Sequence, residues 1–234
     1  MKTKIVFNTG ETFLKRQKNG SIKRAKKMDI KRCKNFISEN ELRVPNYYEL
    51  AQSFNENSNW KDDRVVYIII GTLTPYDGRE NGYFYASQGG NAQIRIIDKA
   101  IPNCGIKKLY EDLQKDPKND NIIESIKNKL SELGIAFLDV IYKAYSPNRP
   151  GMASDALIGD FLLDIKTFKK VFNSNRNFVY ICNSKKAQEA FNYICSILGE
   201  VKPSKFCSQI DQRTTLEKKV EIFNQIYDEN KIKH

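Results

Sequence analysis

Histidine is all but missing from this chain. The single one, His234, is the last of 234 residues, and a chain terminus is a poor place to hold a catalytic group. Mechanisms built on imidazole as base, proton shuttle or metal ligand are therefore set aside. Cysteine is also sparse. Five residues, at positions 33, 104, 182, 195 and 207, form no CxxC pair. Structural zinc and iron–sulfur ligation do not fit that spacing. Free, mostly buried thiols in a reducing compartment do. No apolar run reaches the length needed to cross a bilayer. The opening MKTKIVFNTGETFLKRQ has no apolar stretch suited to a signal peptide. The expectation is a cytoplasmic protein with no membrane partner, no metal and no cofactor, acting as a monomer.

What is present is a basic chain with enough apolar material for a core. Hydrophobic residues make up 40% and charged residues 29%, which excludes a disordered chain. Lysine and arginine number 39 against 28 acids, a net charge of +11. Such an excess favours polyanions, because each neutralised phosphate releases condensed counterions. The charge is uneven. Between Lys15 and Lys34 stand ten basic residues and one acid, Asp29, so this window carries +9 of the total +11. Lys15, Arg16, Lys23, Arg24, Lys26 and Lys27 read as a basic arm or helix lying on phosphates. A solvated surface helix with a charge run is the plainer alternative.

Beyond the basic window, Glu39 to Asn59 suggests a short helix. The run Val65–Ile70 is continuous, apolar and β-branched, as in a strand buried on both faces. A long Gly- and Tyr-rich loop follows, Thr72 to Gly90. Ile94, Ile97 and Ile101 then recur at helical spacing, as do Ile122, Ile126, Leu130 and Leu133, with Gly134 where a C-cap belongs. Ile135–Ile141 is a second buried strand and Tyr142–Gly151 a loop. Ser154 or Asp155 caps a helix running towards Phe172. Phe178–Cys182 is a third strand, Ser184–Leu198 a helix, Glu200–Lys205 a short fourth strand and Thr214–Asn230 a closing helix. This alternation predicts an α/β fold, a three-layer α/β/α sandwich around a central, mainly parallel four-stranded sheet. Ligand crevices in such sheets lie beyond the carboxyl ends of the strands. Those ends fall at Gly71–Pro75, Asp139–Ala144, Asn183–Ser184 and Pro203–Lys205.

Four segments at those ends carry a resemblance. They are IIIGTLTPYDGRENGYFYASQGGNAQIRII, GIAFLDVIYKAYSPNRPGMASDALI, FVYICNSKKAQEAF and VKPSKFCSQIDQRTTLEKKVEIFNQIY. In order and placement they resemble the uracil-DNA glycosylase superfamily, especially its hypoxanthine-DNA glycosylase and mismatch-specific branches. The resemblance spans about Arg64 to Tyr227. It divides the chain into a basic N-terminal extension, residues 1–60, and a glycosylase-like α/β domain, residues 61–234. Three departures stand out. Ser184 replaces a usual glycine, Lys205-Phe206-Cys207 replaces the usual small and proline residues, and Gly89-Gly90 lengthens the approach to Asn91.

The resemblance implies a hydrolase that flips a damaged or modified base out of DNA and cleaves its N-glycosidic bond without a metal. The DNA would be double-stranded, or single-stranded with a flipped base. Asp77 and Asn91 would position or activate the water, Asp77 as a general base and Asn91 by hydrogen bonding. The plainer roles are a turn for Asp77 and a helix cap for Asn91. Phe84 and Tyr85 would stack on the base, or else plug the sheet end. Asp139 would accept hydrogen bonds from a donor on the base edge, or else bond loop amides. Thr72, Leu73 and Asn183 complete the base-binding set. Arg149, Lys185, Ser204 and Lys205 would hold DNA phosphates, with solvated charges and a simple helix cap as alternatives. Two other readings stand beside this one: a catalytically inactive module of the same fold that senses modified DNA, and an enzyme on free nucleotides. The basic segment argues against the second, since a small substrate needs no such surface.

Overall fold

A strand packed on both faces needs apolar residues at every position, not at alternate ones. The run that begins at Val65 meets this demand. In the computed structural model it supplies the strand Tyr67–Gly71, with all five residues buried. The structure describes residues 4–6, 14–16, 22–24, 35–37, 48–73, 92–146, 160–200, 202, 204–206 and 215–231. Among these the strands are β1 (Lys4–Val6), β2 (Leu14–Arg16), β3 (Ile22–Arg24), β4 (Asn35–Ile37), β5 (Tyr48–Gln52), β6 (Tyr67–Gly71), β7 (Ile135–Asp139), β8 (Ile141–Ser146), β9 (Asp160–Leu163), β10 (Val179–Cys182) and β11 (Ser204–Phe206). The helices are α1 (Ala92–Ala100), α2 (Ile106–Lys115), α3 (Asp120–Glu132), α4 (Ile165–Phe172), α5 (Lys185–Leu198) and α6 (Leu216–Lys231).

The expected α/β architecture is present. β10, β6 and β7 pair in parallel, and the three-residue β11 joins β10 as an edge, giving the order β11-β10-β6-β7. Three strands thus make the body of the sheet and the fourth is a short edge. Successive side chains go to opposite faces. Ile68 and Ile70 pack with Ala136, Leu138, Phe168 and Phe191, so one core lies under α4 and α5. Tyr67 and Ile69 pack with Phe137, Ile97, Leu113, Ile126 and Phe223, so the other lies under α1, α2, α3 and α6. Gly134, at φ 73°, follows α3 in the left-handed conformation that glycine adopts without strain. Its carbonyl accepts the amides of Val66 and Tyr67 at 2.9 and 2.8 Å, which sets the start of β7 beside β6.

A second sheet was not foreseen. It is antiparallel, with the order β4-β1-β9-β8-β5, and is built from short strands far apart in sequence. It accounts for three corrections. The loop expected from Tyr142 begins as β8. Of the helix expected from Ser154 or Asp155 towards Phe172, both cap candidates lie outside the described residues; from Asp160 it is β9 followed by a shorter α4, whose cap is Asp164, with Oδ1 accepting the Thr167 amide at 3.1 Å. Where it is described, from Tyr48, the stretch Glu39–Asn59 expected to hold a short helix is β5 and a 3-10 turn, Asn55–Asn57. The five residues of β5, Tyr-Glu-Leu-Ala-Gln, are too few to separate a period of two from one of 3.6, and the pairing with β8 decides. The basic window is also not helical where described. β2 and β3 pair as a separate two-stranded antiparallel ribbon. No helix among the described residues is long and apolar enough to cross a membrane.

β7 is the last strand of the parallel sheet, and an uncovered edge exposes a row of backbone polar groups. Side chains from the 3-10 turn and the residues after it cover that edge. Asn59 Nδ2 donates to the Ile135 carbonyl at 2.9 Å and Ser58 Oγ to the Phe137 carbonyl at 2.7 Å. Asn55 accepts the Asp139 amide at Oδ1 and donates to the Asp139 carbonyl from Nδ2, both at 2.8 Å. The segment then turns towards β6, and Arg176 ties it down. The Arg176 guanidinium donates to the carbonyls of Trp60, Asp62, Asp63 and Val65 at 2.6–3.1 Å while lying 4.6 Å from the Phe178 ring centre.

Arg176→Ala removes four bonds from a charged donor and leaves partly buried carbonyls unmet, so it is expected to lower stability by about 2–4 kcal/mol. Arg176→Lys should recover only part of this, because an ammonium lacks the planar fork. Urea unfolding of both variants measures it. Burial holds the Cys195 thiol up at about 11, and Cys104 and Cys182 are buried as well. Peptide-resolved alkylation at neutral pH should find these three unmodified in the folded protein and modified in urea.

Candidate functional site

Parallel strands deliver their carboxyl ends to the same side of a sheet. Gly71 stands in register with Asp139, and Cys182 stands in register with both Ile70 and Phe206. The residues that leave these ends are therefore neighbours. The Val140 amide donates to the Gly71 carbonyl at 3.0 Å, the Ile141 amide to the Thr72 carbonyl at 3.1 Å and the Asn183 amide to the Ile70 carbonyl at 3.0 Å. Backbone pairing thus runs past the strands and fixes the start of each loop. Thr72, Asp139 and Asn183 are buried here, and Asp139 is completely so. Leu73 packs against the α4–α5 core. A carboxylate and an amide at the mouth of an apolar sheet can accept and donate hydrogen bonds to a planar polar ligand.

The departure from glycine at position 184 has a local reason. Ser184 is the N-cap of α5, and its Oγ accepts the Ala187 amide at 3.0 Å. The same oxygen lies 3.1 Å from Thr72 Oγ1, so the cap also links the β10 end to the β6 end. Lys185 is the first residue of α5 and is exposed. Its positive charge adds to that of the helix N-terminus, where anions are favoured.

Of the residues singled out in the sequence, the fold brings together Thr72, Leu73, Asp139, Asn183 and Lys185. Ser204 and Lys205 sit differently from expectation. They lie inside β11, in register with Tyr180 and Ile181, so Phe206 and not the Pro-Ser-Lys turn reaches the carboxyl end. Lys15, Arg16, Lys23 and Arg24 belong to the β2–β3 ribbon, with Lys15 opposite Lys23. Asp77, Phe84, Tyr85, Asn91, Lys26, Lys27 and Arg149 lie outside the described residues. Among the described residues no three His, Cys, Asp or Glu side chains gather as a metal site.

Two residues of this corner went unnoticed in the sequence. Asn55 is buried and spends its second Nδ2 hydrogen on Asp164 Oδ2 at 2.7 Å. Asp164 in turn donates its amide to the Val140 carbonyl at 2.9 Å. The only signal was the polar run Asn55-Glu56-Asn57-Ser58-Asn59 just before the first buried strand.

Neither protein families nor curated proteins give a match to the chain. Among solved structures, the solution NMR structure of "a putative Uracil DNA glycosylase from Methanosarcina acetivorans" aligns with a TM-score of 0.42 and 20% identity, over 77% of this chain and 98% of that one.

Ser184→Ala removes both the α5 cap and the link to Thr72, and is expected to cost about 1 kcal/mol. Ser184→Gly should cost only a few tenths of that, because glycine is itself a tolerated cap. Thermal unfolding of the pair distinguishes a capping role from a stricter need for the hydroxyl.

Proposed function

We propose that this protein is DNA-glycosylase-like: it takes one damaged or modified base into the crevice at the carboxyl ends of β6, β7 and β10 and hydrolyses its N-glycosidic bond. The observation that carries the reading is the buried polar trio Thr72, Asp139 and Asn183 at one end of an otherwise apolar parallel sheet. Open α/β sheets bind ligands at that place. A base needs what the trio offers, a few directed polar groups inside an apolar pocket. The net charge of +11 supplies attraction to the DNA backbone. Lys185 at the start of α5 suits a phosphate flanking the flipped nucleotide.

In this reading Asp139 accepts a hydrogen bond from a donor on the base edge, and Phe84 or Tyr85 stacks on its face. Water attacks the sugar C1′ as the C1′–N bond breaks. Asp77 takes the proton of the water and Asn91 orients it. The bonding electrons leave with the base, and nearby amides and lysines stabilise its negative charge. No histidine is needed at any step. The replaced last motif, Lys205-Phe206-Cys207, favours one rival, a module of the same fold that reads modified DNA without cleaving it.

The test is an abasic-site assay on duplexes and single strands carrying uracil, hypoxanthine, xanthine or a modified cytosine. The expected result is cleavage of at least one of these substrates, abolished in Asp77→Ala and made unselective in Asp139→Asn. Base-selective binding without product assigns the protein to the non-cleaving rival. Binding that ignores the base altogether overturns both. In parallel, Lys185→Ala should weaken binding on every sequence and reduce the salt slope of log K by about one.

A further inference from the structure

We propose that Asn55 is the positioning residue for Asp139, holding the Asp139 peptide at both its N–H and its C=O so that the carboxylate stands at a fixed place at the sheet end. The inference rests on the base-recognition reading given above.

Three side chains cover the edge of β7. Ser58 and Asn59 each meet one β7 carbonyl. Asn55 does more. Its amide makes the reciprocal pair of bonds that a neighbouring strand would make, on the Asp139 residue alone. Its remaining donor goes to Asp164 Oδ2. Both Nδ2 hydrogens and the Oδ1 of this buried side chain are therefore committed. The third bond satisfies the donor left over at the edge, and it does so on a second element of the same corner.

The third bond reaches the cap of α4, and through it the other side of the same corner. Asp164 fixes the Val140 carbonyl with its amide and the first turn of α4 with Oδ1. Val140 is the single residue between β7 and β8, where the chain leaves the parallel sheet for the antiparallel one. On the inner side the Gly71 and Thr72 carbonyls accept the Val140 and Ile141 amides. The peptide that carries the Asp139 side chain is thus held from the outer edge by Asn55 and from the inner edge by β6. Recognition groups work when their support leaves them one geometry. Asn55 supplies that support from a turn about 80 residues earlier in the chain.

The test compares Asn55→Ala, Asp139→Asn, the double variant and Ser58→Ala, each first checked for native circular dichroism. If Asn55→Ala does not fold, Asn55→Ser takes its place. Amide exchange gives the first readout. Exchange at the Asp139 N–H should speed up by about tenfold or more relative to the other β7 amides in Asn55→Ala, and not in Ser58→Ala. Binding gives the second, as the ratio of affinities for a hypoxanthine or uracil duplex over the unmodified duplex. Asn55→Ala should lower this ratio about tenfold in the wild-type background and less than about twofold in Asp139→Asn, the signature of one residue acting through another. Ser58→Ala should lose stability and keep the ratio.

An unchanged Asp139 exchange rate overturns the proposal, as does an unchanged ratio in a folded Asn55→Ala or an equal loss in both backgrounds. If the wild-type protein itself shows no preference among the duplexes, the base-recognition reading fails. The exchange result alone then decides whether Asn55 holds the Asp139 peptide.

Discussion

The edge of β7 is where this fold had to be solved. A parallel strand with no neighbour leaves alternate peptide groups facing outwards, and water or another chain must meet them. Here three side chains from a five-residue polar stretch do so, at Ile135, Phe137 and Asp139. Closing the sheet with side chains rather than a further strand has two effects. It prevents edge-to-edge pairing, and it leaves the carboxyl end of β7 held by a group that can be specific to one residue. Residues 55–64 are consequently part of the packed structure. Arg176 reinforces the arrangement by gathering four carbonyls of the connecting turn.

That closure also explains how two sheets share one corner. β7 and β8 are separated by Val140 alone. The chain changes from parallel to antiparallel pairing without a loop, and this is possible only because each peptide around Val140 already has a partner. Gly71 and Thr72 serve the inner side, and Asn55 and Asp164 the outer. The buried side chain of Asp139 therefore stands on backbone that is hydrogen-bonded from both edges.

The parts of the fold readable in the sequence are those where one local pattern decides. Val65–Ile70 and Ile135–Leu138 are apolar at every position, which only double-sided burial requires. Gly134 follows a helical period where a left-handed residue is needed. The parts that could not be read are decided by distant partners. β9 has four residues and pairs with β8 and β1, so its strand character lies in those neighbours rather than in Asp-Phe-Leu-Leu. β5 looked helical because its five residues are too few to separate the two periods. At the site, Asp139 was legible as a charge in an apolar run, and Thr72 and Asn183 as residues just past strand ends. Asn55 was not legible, because its partner is 84 residues away and an asparagine in a polar run usually marks a turn.

If stability alone were selected, the end of β7 would suit an apolar residue, and the outer edge would suit a strand. Completely burying Asp139 is costly, since a carboxylate loses its hydration and must be compensated by directed bonds. Asn55 and Asp164 add further buried polar groups to be satisfied. Proteins depart from the cheapest local solution mainly where geometry must be preserved for a ligand. Ser131 is buried near the opposite end of β7, beside Asn59, but five other buried polar residues form one group. Thr72, Asp139, Asn183, Asn55 and Asp164 all gather where β6, β7 and β10 end, while both faces of the sheet remain apolar. A group of five buried polar side chains at one end of the sheet is the physical reason to look for the ligand there.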